Sequence, residues 1–269
     1  MIIAFFAAAA LVTLGAADME VKRFQRDAAQ DIARRLDGEA KQVSVSVRSN
    51  GLLGTPLGDL SSATVTASGF QAGGMPLFTE PQHSKRGRIG ELRLRLREFE
   101  VRGLQVASLE AAMPDCRFDF AYATRNRAIR LTRSGTGPGT VRLRFADLER
   151  YLVAKFKEIK SIQLSSTRGA LRAEGVGEFL LVRTKFTVIA NVVGSGPHLT
   201  LADARVFFDD RLVDDATAEG LLRTLNPILD LDRDLGLCGA FDLKDVRLMD
   251  DGIEADGLAH IPNEPEPVG

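Results

Sequence analysis

The chain has 269 residues, 45% of them hydrophobic and 26% charged, a globular composition that excludes disordered and collagen-like classes. A net charge of −1 excludes a protein held on nucleic acid by phosphate contacts, and 6% aromatics without a tryptophan exclude a base-stacking platform. The length suits one large or two small domains.

The first element is an apolar run, MIIAFFAAAALVTLGAA, ending in Gly15-Ala16-Ala17. Small residues at that point are what a signal peptidase cuts after, and 17 residues lie at the lower edge of a membrane span. Residues 1–17 are therefore expected to be a signal peptide or an N-terminal anchor, which places the body outside the cytoplasm, in the periplasm or cell envelope. No Lys or Arg precedes the run, a departure from the usual signal. Export implies an oxidising compartment, where Cys116 and Cys238 either pair or remain two buried thiols.

Next, Phe24, Ala28, Ile32 and Leu36 recur every four residues between charges, the pattern of an amphipathic helix closing near Gly38. QVSVSVRSN alternates as a half-buried strand, and ATVTASGF reads as another. The stretch 91–110, ELRLRLREFEVRGLQVASLE, reads as one long strand. CRFDFAYA and RAIRLTRS resemble a hairpin, and Phe145, Leu148, Leu152, Phe156 and Ile159 mark a second helix. Strands follow at SIQLSS, GALRAEG, EFLLVRTKFTVIANVVG and HLTLADARVFF. A third helix spans about 214–229, interrupted at Asn226-Pro227, and AFDLKDVRLMD and GIEADGLAHI close the fold as strands. The Pro-rich tail 262–269 is too polar to pack. The result is a single domain over 18–261 of α+β class, mainly antiparallel because strict βαβ alternation is missing.

In 91–110 the apolar phase jumps at Arg97-Glu98 and again at Arg102-Gly103, and a similar jump falls between Leu243 and Val246. Side chains alternate with period two along a strand, so each jump predicts a β-bulge, and bulges bend a sheet. A strongly curved sheet wrapped around amphipathic helices follows.

Chemistry is sparse. His83, His198 and His260 lie far apart with no partner at helical spacing, so no zinc site is expected. Asp230, Asp232 and Asp234 are spaced like the start of a calcium loop whose later Gly and Glu are missing. No nucleophile elbow or phosphate loop is present. The reading is a chain with no catalytic residues, no metal and no cofactor. Residues 81–133 carry twelve Lys/Arg against six acids, either a solvated sheet face or a basic surface for anionic headgroups. Within GGMPLFTEPQHSKRG, apolar Met75, Leu77 and Phe78 precede Lys85, Arg86 and Arg88, the arrangement of a membrane-docking loop.

The export-like N-terminus, VSVSV, SSATVTASGF, the FADLERYL helix and above all LNPILDLDRDLGLCGAFDLKDVRLMDDGIEADGLAHI resemble the LmeA-like phospholipid-binding family of exported bacterial proteins, over residues 20–261. The resemblance implies a fold similar to tubular lipid-binding domains, a curved antiparallel sheet around a helix with an apolar groove between them. It implies phospholipid or another acyl lipid as the partner, together with a membrane surface, and no nucleic acid; no particular protein partner is indicated. Combined with the bent sheet, the expected groove liners are Leu94, Leu96, Phe99, Val101, Phe118, Phe120, Phe145, Phe156, Phe186, Val188 and Phe208. Polar Lys185, Thr187 and Asn191 interrupt the long strand that would carry part of that groove. An envelope scaffold with a solid core is the alternative from another class.

Overall fold

The two longest strands are β4 (Gly87–Val101) and β5 (Leu104–Phe118), paired antiparallel from end to end in a computed structural model that describes residues 21–50, 58–73, 86–126, 130–179 and 182–261. The expected single strand over 91–110 is thus two strands. Arg102 and Gly103 have φ of 47° and 87°, and two successive positive φ values make the tight turn whose twist matches a right-handed hairpin. The expected bulge at this pair is a hairpin turn instead. At Arg97-Glu98 no extra residue enters the register: Leu96 faces Leu109 and Phe99 faces Val106. The phase change is made by Glu98 in the left-handed region, φ 46°, and β5 changes phase alongside. Glu98 is held there by Arg144, whose Nη1 and Nη2 donate to its two carboxylate oxygens at 2.8 and 2.6 Å. The jump expected after Leu243 is a true bulge, with register shifting between Leu243 and Asp245.

Among the described residues there are two sheets. The first runs β1 (Gln42–Ser49), β2 (Asp59–Ser68), β4, β5, β7 (Gly137–Arg144), β15 (Gly252–Ala259), β14 (Phe241–Leu248), with β3 (Gln71–Ala72) on β4 and β6 (Leu131–Arg133) on β5. The second runs β12 (Arg211–Leu212), β11 (His198–Phe208), β10 (Val182–Ser195), β9 (Ala170–Phe179), β8 (Ile159–Thr167), with β13 (Leu229–Asp230) on β11. All pairings are antiparallel except β2 and β3 with β4. Register shifts at Ile159/Ser161 and Ile189/Asn191 accompany the curl of the second sheet into a half-barrel. The sheets meet where β10 crosses β14, and Gly194 permits it: a Cβ there would lie 2.8 Å from Val246 and 3.0 Å from Leu243.

Four helices are described. α1 covers residues 21–34, burying Ala28 and Ile32 as the four-residue spacing requires. The expected pairing of CRFDFAYA with RAIRLTRS is kept at Arg117 with Arg133 and Phe118 with Leu131, but the connection between them forms α2 (Phe120–Asn126) instead of a tight turn. Asp119 ends the strand and caps the helix, its Oδ1 accepting from the Tyr122 N–H at 2.9 Å. α3 (Phe145–Lys155) packs against β8 in the half-barrel. α4 (Asp215–Leu225) starts at Asp214, which accepts from the Thr217 N–H, and stops at Asn226-Pro227.

The two cysteines are free, so they do not form the disulfide that export allows. Cys116 is fully buried and burial pushes its thiol up to about 12; Cys238 is part-exposed. A thiol reagent should therefore titrate one group in native protein and two after denaturation. Finding none in either state without reductant would mean a disulfide.

Arg130, 5% exposed, donates to Asp31 at 2.7 Å and joins α1 to the start of β6. Without Arg130, Asp31 keeps the longer contacts of Arg34 and Arg35, at 4.0 and 3.9 Å. Arg130→Met should lower the urea unfolding free energy by about 1.5–3 kcal/mol, and adding Asp31→Leu should recover part of it. A loss for Arg130→Met within error of zero would show that the pair does not hold α1.

Candidate functional site

Among the described residues, two interior hollows have entirely apolar linings. The first, about 50 Å³, sits between the inner face of β4, β5, β7, β14 and β15 and the segment after α4. Its sheet side includes Phe99, Val101, Leu104, Val106 and Phe241, and the opposing side is Leu229, Leu231, Leu235 and Leu237. The second, about 40 Å³, is the lumen of the half-barrel, bounded by Leu148 and Leu152 of α3, Phe156 just after it, Phe186 and Val188 of β10, and Leu221 and Leu225 of α4. Consecutive residues divide them: Ile228 faces the second hollow and Leu229 the first.

The segment 226–240 therefore acts as a strap between the two spaces, and polar contacts fasten its back. The Asn226 side chain accepts from the Leu201 N–H at 2.8 Å and donates to the Leu201 carbonyl at 2.9 Å. Lys155, at the end of α3, donates to the Ile228 carbonyl at 3.1 Å and to the Asp234 carboxylate. Arg102, at the tip of the β4–β5 hairpin, donates from Nη1 to the Arg233 carbonyl at 3.2 Å. The three aspartates of DLDRD are engaged within the fold, Asp230 also lying 3.5 Å from His198 of β11. Asp230 Oδ1 accepts from the Asp232 and Arg233 N–H groups, Asp232 Oδ1 accepts from the Gly239 N–H, and Asp234 takes Lys155. Their spacing builds turns, and no metal-binding cluster occurs among the described residues. Burial works to raise the Asp234 pKa, yet the Lys155 ammonium and the Asp230 N–H outweigh it and hold the carboxyl below its ordinary value. Burial, followed by the charge of Asp234, pushes the Tyr151 phenol up.

Of the expected liners, Phe99 and Val101 come together in the first hollow and Phe156, Phe186 and Val188 in the second. Leu96, Phe118 and Phe145 are buried in the surrounding core, and Leu94, Phe120 and Phe208 are half-buried at its edge. Met75, Leu77, Phe78 and Lys85 lie outside the described residues; Arg86 and Arg88 are exposed, and Arg88 donates to Asp115 at 3.0 Å. The strap leucines went unnoticed in the sequence because acidic residues dominate the same stretch. Their spacing, Leu229-x-Leu231-x₃-Leu235-x-Leu237, was the available signal.

Linings of carbon alone cannot move protons or bind metals. They can hold hydrocarbon out of water, at about 25 cal/mol per Å² buried. Asp234 contributes stability that is full above the unfolded carboxylate value of about 3.9 and is lost as pH falls through its lower folded value. The unfolding free energy of the wild type should exceed that of Asp234→Asn most between pH 5 and 8, and the gap should close below about pH 4. A gap independent of pH down to 2.5 would remove the charge from the explanation.

No helix among the described residues is long and apolar enough to cross a membrane. No curated protein and no solved structure matches the chain. Residues 82–257, more than half of the chain, match the model of the LmeA-like phospholipid-binding family, and the chain belongs to that family.

Proposed function

We propose that this protein is a non-enzymatic phospholipid-binding protein of the bacterial cell envelope, exported by its N-terminal apolar run, that holds acyl chain between its sheets, strap and helices. The observation that carries the reading is the pair of all-carbon hollows inside a chain of a phospholipid-binding family. Phe99 and Val101 are the proposed contacts on one side of the strap, and Phe156, Phe186 and Val188 on the other. Leu94, Leu96, Phe118, Phe120, Phe145 and Phe208 support the walls. A dozen methylenes leaving water contribute about 10 kcal/mol, enough to offset a substantial part of the cost of ordering the chain.

With the strap in place the first hollow has room for only about three or four water-sized groups, so chain entry requires the strap to yield. That requirement fits the construction: leucines on one side and a few polar contacts on the other can move as a unit. Met75, Leu77, Phe78 and Lys85, with Arg86 and with Arg88 at the start of β4, are proposed to touch the bilayer. Gly73, which precedes them in the chain, has its carbonyl accepting from Arg102 Nε at 2.7 Å at the strap end of the hairpin.

The small volumes favour a second reading, an envelope scaffold with a solid core. Lipid extraction separates the two. Protein incubated with phospholipid vesicles, repurified and extracted with organic solvent should release phospholipid at near one per chain by mass spectrometry. Less than a tenth of that after exhaustive incubation would favour the scaffold.

A further inference from the structure

We propose that Arg102 receives the anionic phosphate of a bound lipid, at the mouth of the first hollow, an inference that rests on the lipid-binding reading and names the headgroup chemistry it selects. The position follows from the chain on either side. Val101 and Leu104 flank the Arg102-Gly103 turn and line the hollow, and Leu235 and Leu237 flank Gly236 and line it from the strap. The guanidinium lies across Gly236: a Cβ there would come 2.8 Å from Cζ and 2.8 Å from Nη2 of Arg102. Gly236 has a φ of 67°, so the strap bends at the one residue that leaves room for the cation.

Among the described residues, Arg102 is bonded to main-chain carbonyls and to no carboxylate, Gly73 O at 2.7 Å and Arg233 O at 3.2 Å. Every aspartate of the strap's acidic run is engaged elsewhere, Asp230 and Asp232 by backbone N–H groups and Asp234 by Lys155. Arg233 beside it is 71% exposed at its side chain and 3.6 Å from Asp234. A guanidinium with neutral partners keeps its full attraction for an anion, and its planar fork fits two oxygens of one phosphate. An apolar cavity with one cation at its rim is the layout of a site for an amphiphile: carbon inside, charge outside.

The same bond explains how the site opens. Arg102 Nη1 holds the strap through Arg233 O at 3.2 Å, a long and exposed bond to a neutral acceptor. A phosphate offers a charged acceptor to the same donor. Taking it releases the strap end that carries Leu235 and Leu237, and the acyl chain follows into the space those leucines leave.

The test compares labelled phosphatidylglycerol with diacylglycerol bearing the same label and chains, presented in neutral micelles to full-length wild type, Arg102→Gln and Arg102→Lys. Wild type should prefer phosphatidylglycerol, Arg102→Gln should lose about tenfold on that lipid alone, and Arg102→Lys, which keeps the charge and loses the fork, should fall between. Diacylglycerol, which makes no use of the guanidinium, should bind the variants at least as tightly as wild type, since losing the bond to the Arg233 carbonyl also frees the strap; a circular dichroism spectrum like that of wild type reports that each variant is folded. Glycerol 3-phosphate at millimolar concentration should not compete, since the headgroup without its chain lacks the hollow; full competition would assign Arg102 to free phosphate and overturn the proposal. Equal phosphatidylglycerol binding by wild type and Arg102→Gln would overturn it while leaving lipid binding intact. Binding of neither lipid by wild type would overturn both.

Discussion

Burial of the strap leucines against the first sheet is the constraint on which the rest of the structure depends. Leu229, Leu231, Leu235 and Leu237 complete a core that β4, β5 and β14 leave open on one face. Each side chain removed from water contributes about 1.5–3 kcal/mol, so the strap is worth more as packing than its polar fastenings are as bonds. The strap also divides the interior, with Ile228 turned toward the half-barrel and Leu229 toward the first sheet. Whatever enters either space must compete with side chains already there.

The kinked hairpin sets the shape that the strap fills. Glu98, left-handed and clamped by Arg144, turns Leu96 and Phe99 to one side, and Phe99 stacks on Phe70 with ring centroids 5.0 Å apart. Arg144 also donates from Nε to Asp147 at 2.8 Å at the start of α3. The hydrogen bonds it donates, first to Glu98 and then to Asp147, hold its guanidinium charged. The bend in the first sheet and the position of α3 in the second are thereby fixed by one side chain. This couples the walls of the two hollows at a second place besides the Ile228-Leu229 junction.

Much of this architecture was legible in the sequence where periodicity alone decides it. The spacing of Phe24, Ala28, Ile32 and Leu36 placed α1, the Val/Ser alternation placed β1, and the break at Asn226-Pro227 ended α4. The bulge after Leu243 followed from a phase jump. Identical jumps misled elsewhere, because a phase change has three physical solutions: an extra residue, a left-handed residue, or a turn. Arg102-Gly103 took the turn, and Glu98 took the left-handed conformation with the help of Arg144, 46 residues away in sequence. Likewise, Asp119 looked like one polar position in an alternating strand until it capped α2. The placement of liners was legible only as far as hydrophobicity goes. Phe118 and Phe99 are equally apolar and equally buried, and tertiary topology alone decides that Phe99 borders a hollow. The strap, with four leucines among three acids and an arginine's cradle at Gly236, required the folded chain to be read at all.

The central claim is that hydrocarbon can take the place of the strap leucines in the first hollow. Its most direct measurement is anomalous scattering from a crystal of the protein grown with a phospholipid brominated along its acyl chains. The account places bromine between Phe99 and Val106 on the sheet side and a displaced strap opposite. Bromine confined to the outer surface, with Leu231 and Leu237 still packed against Phe99, would contradict it.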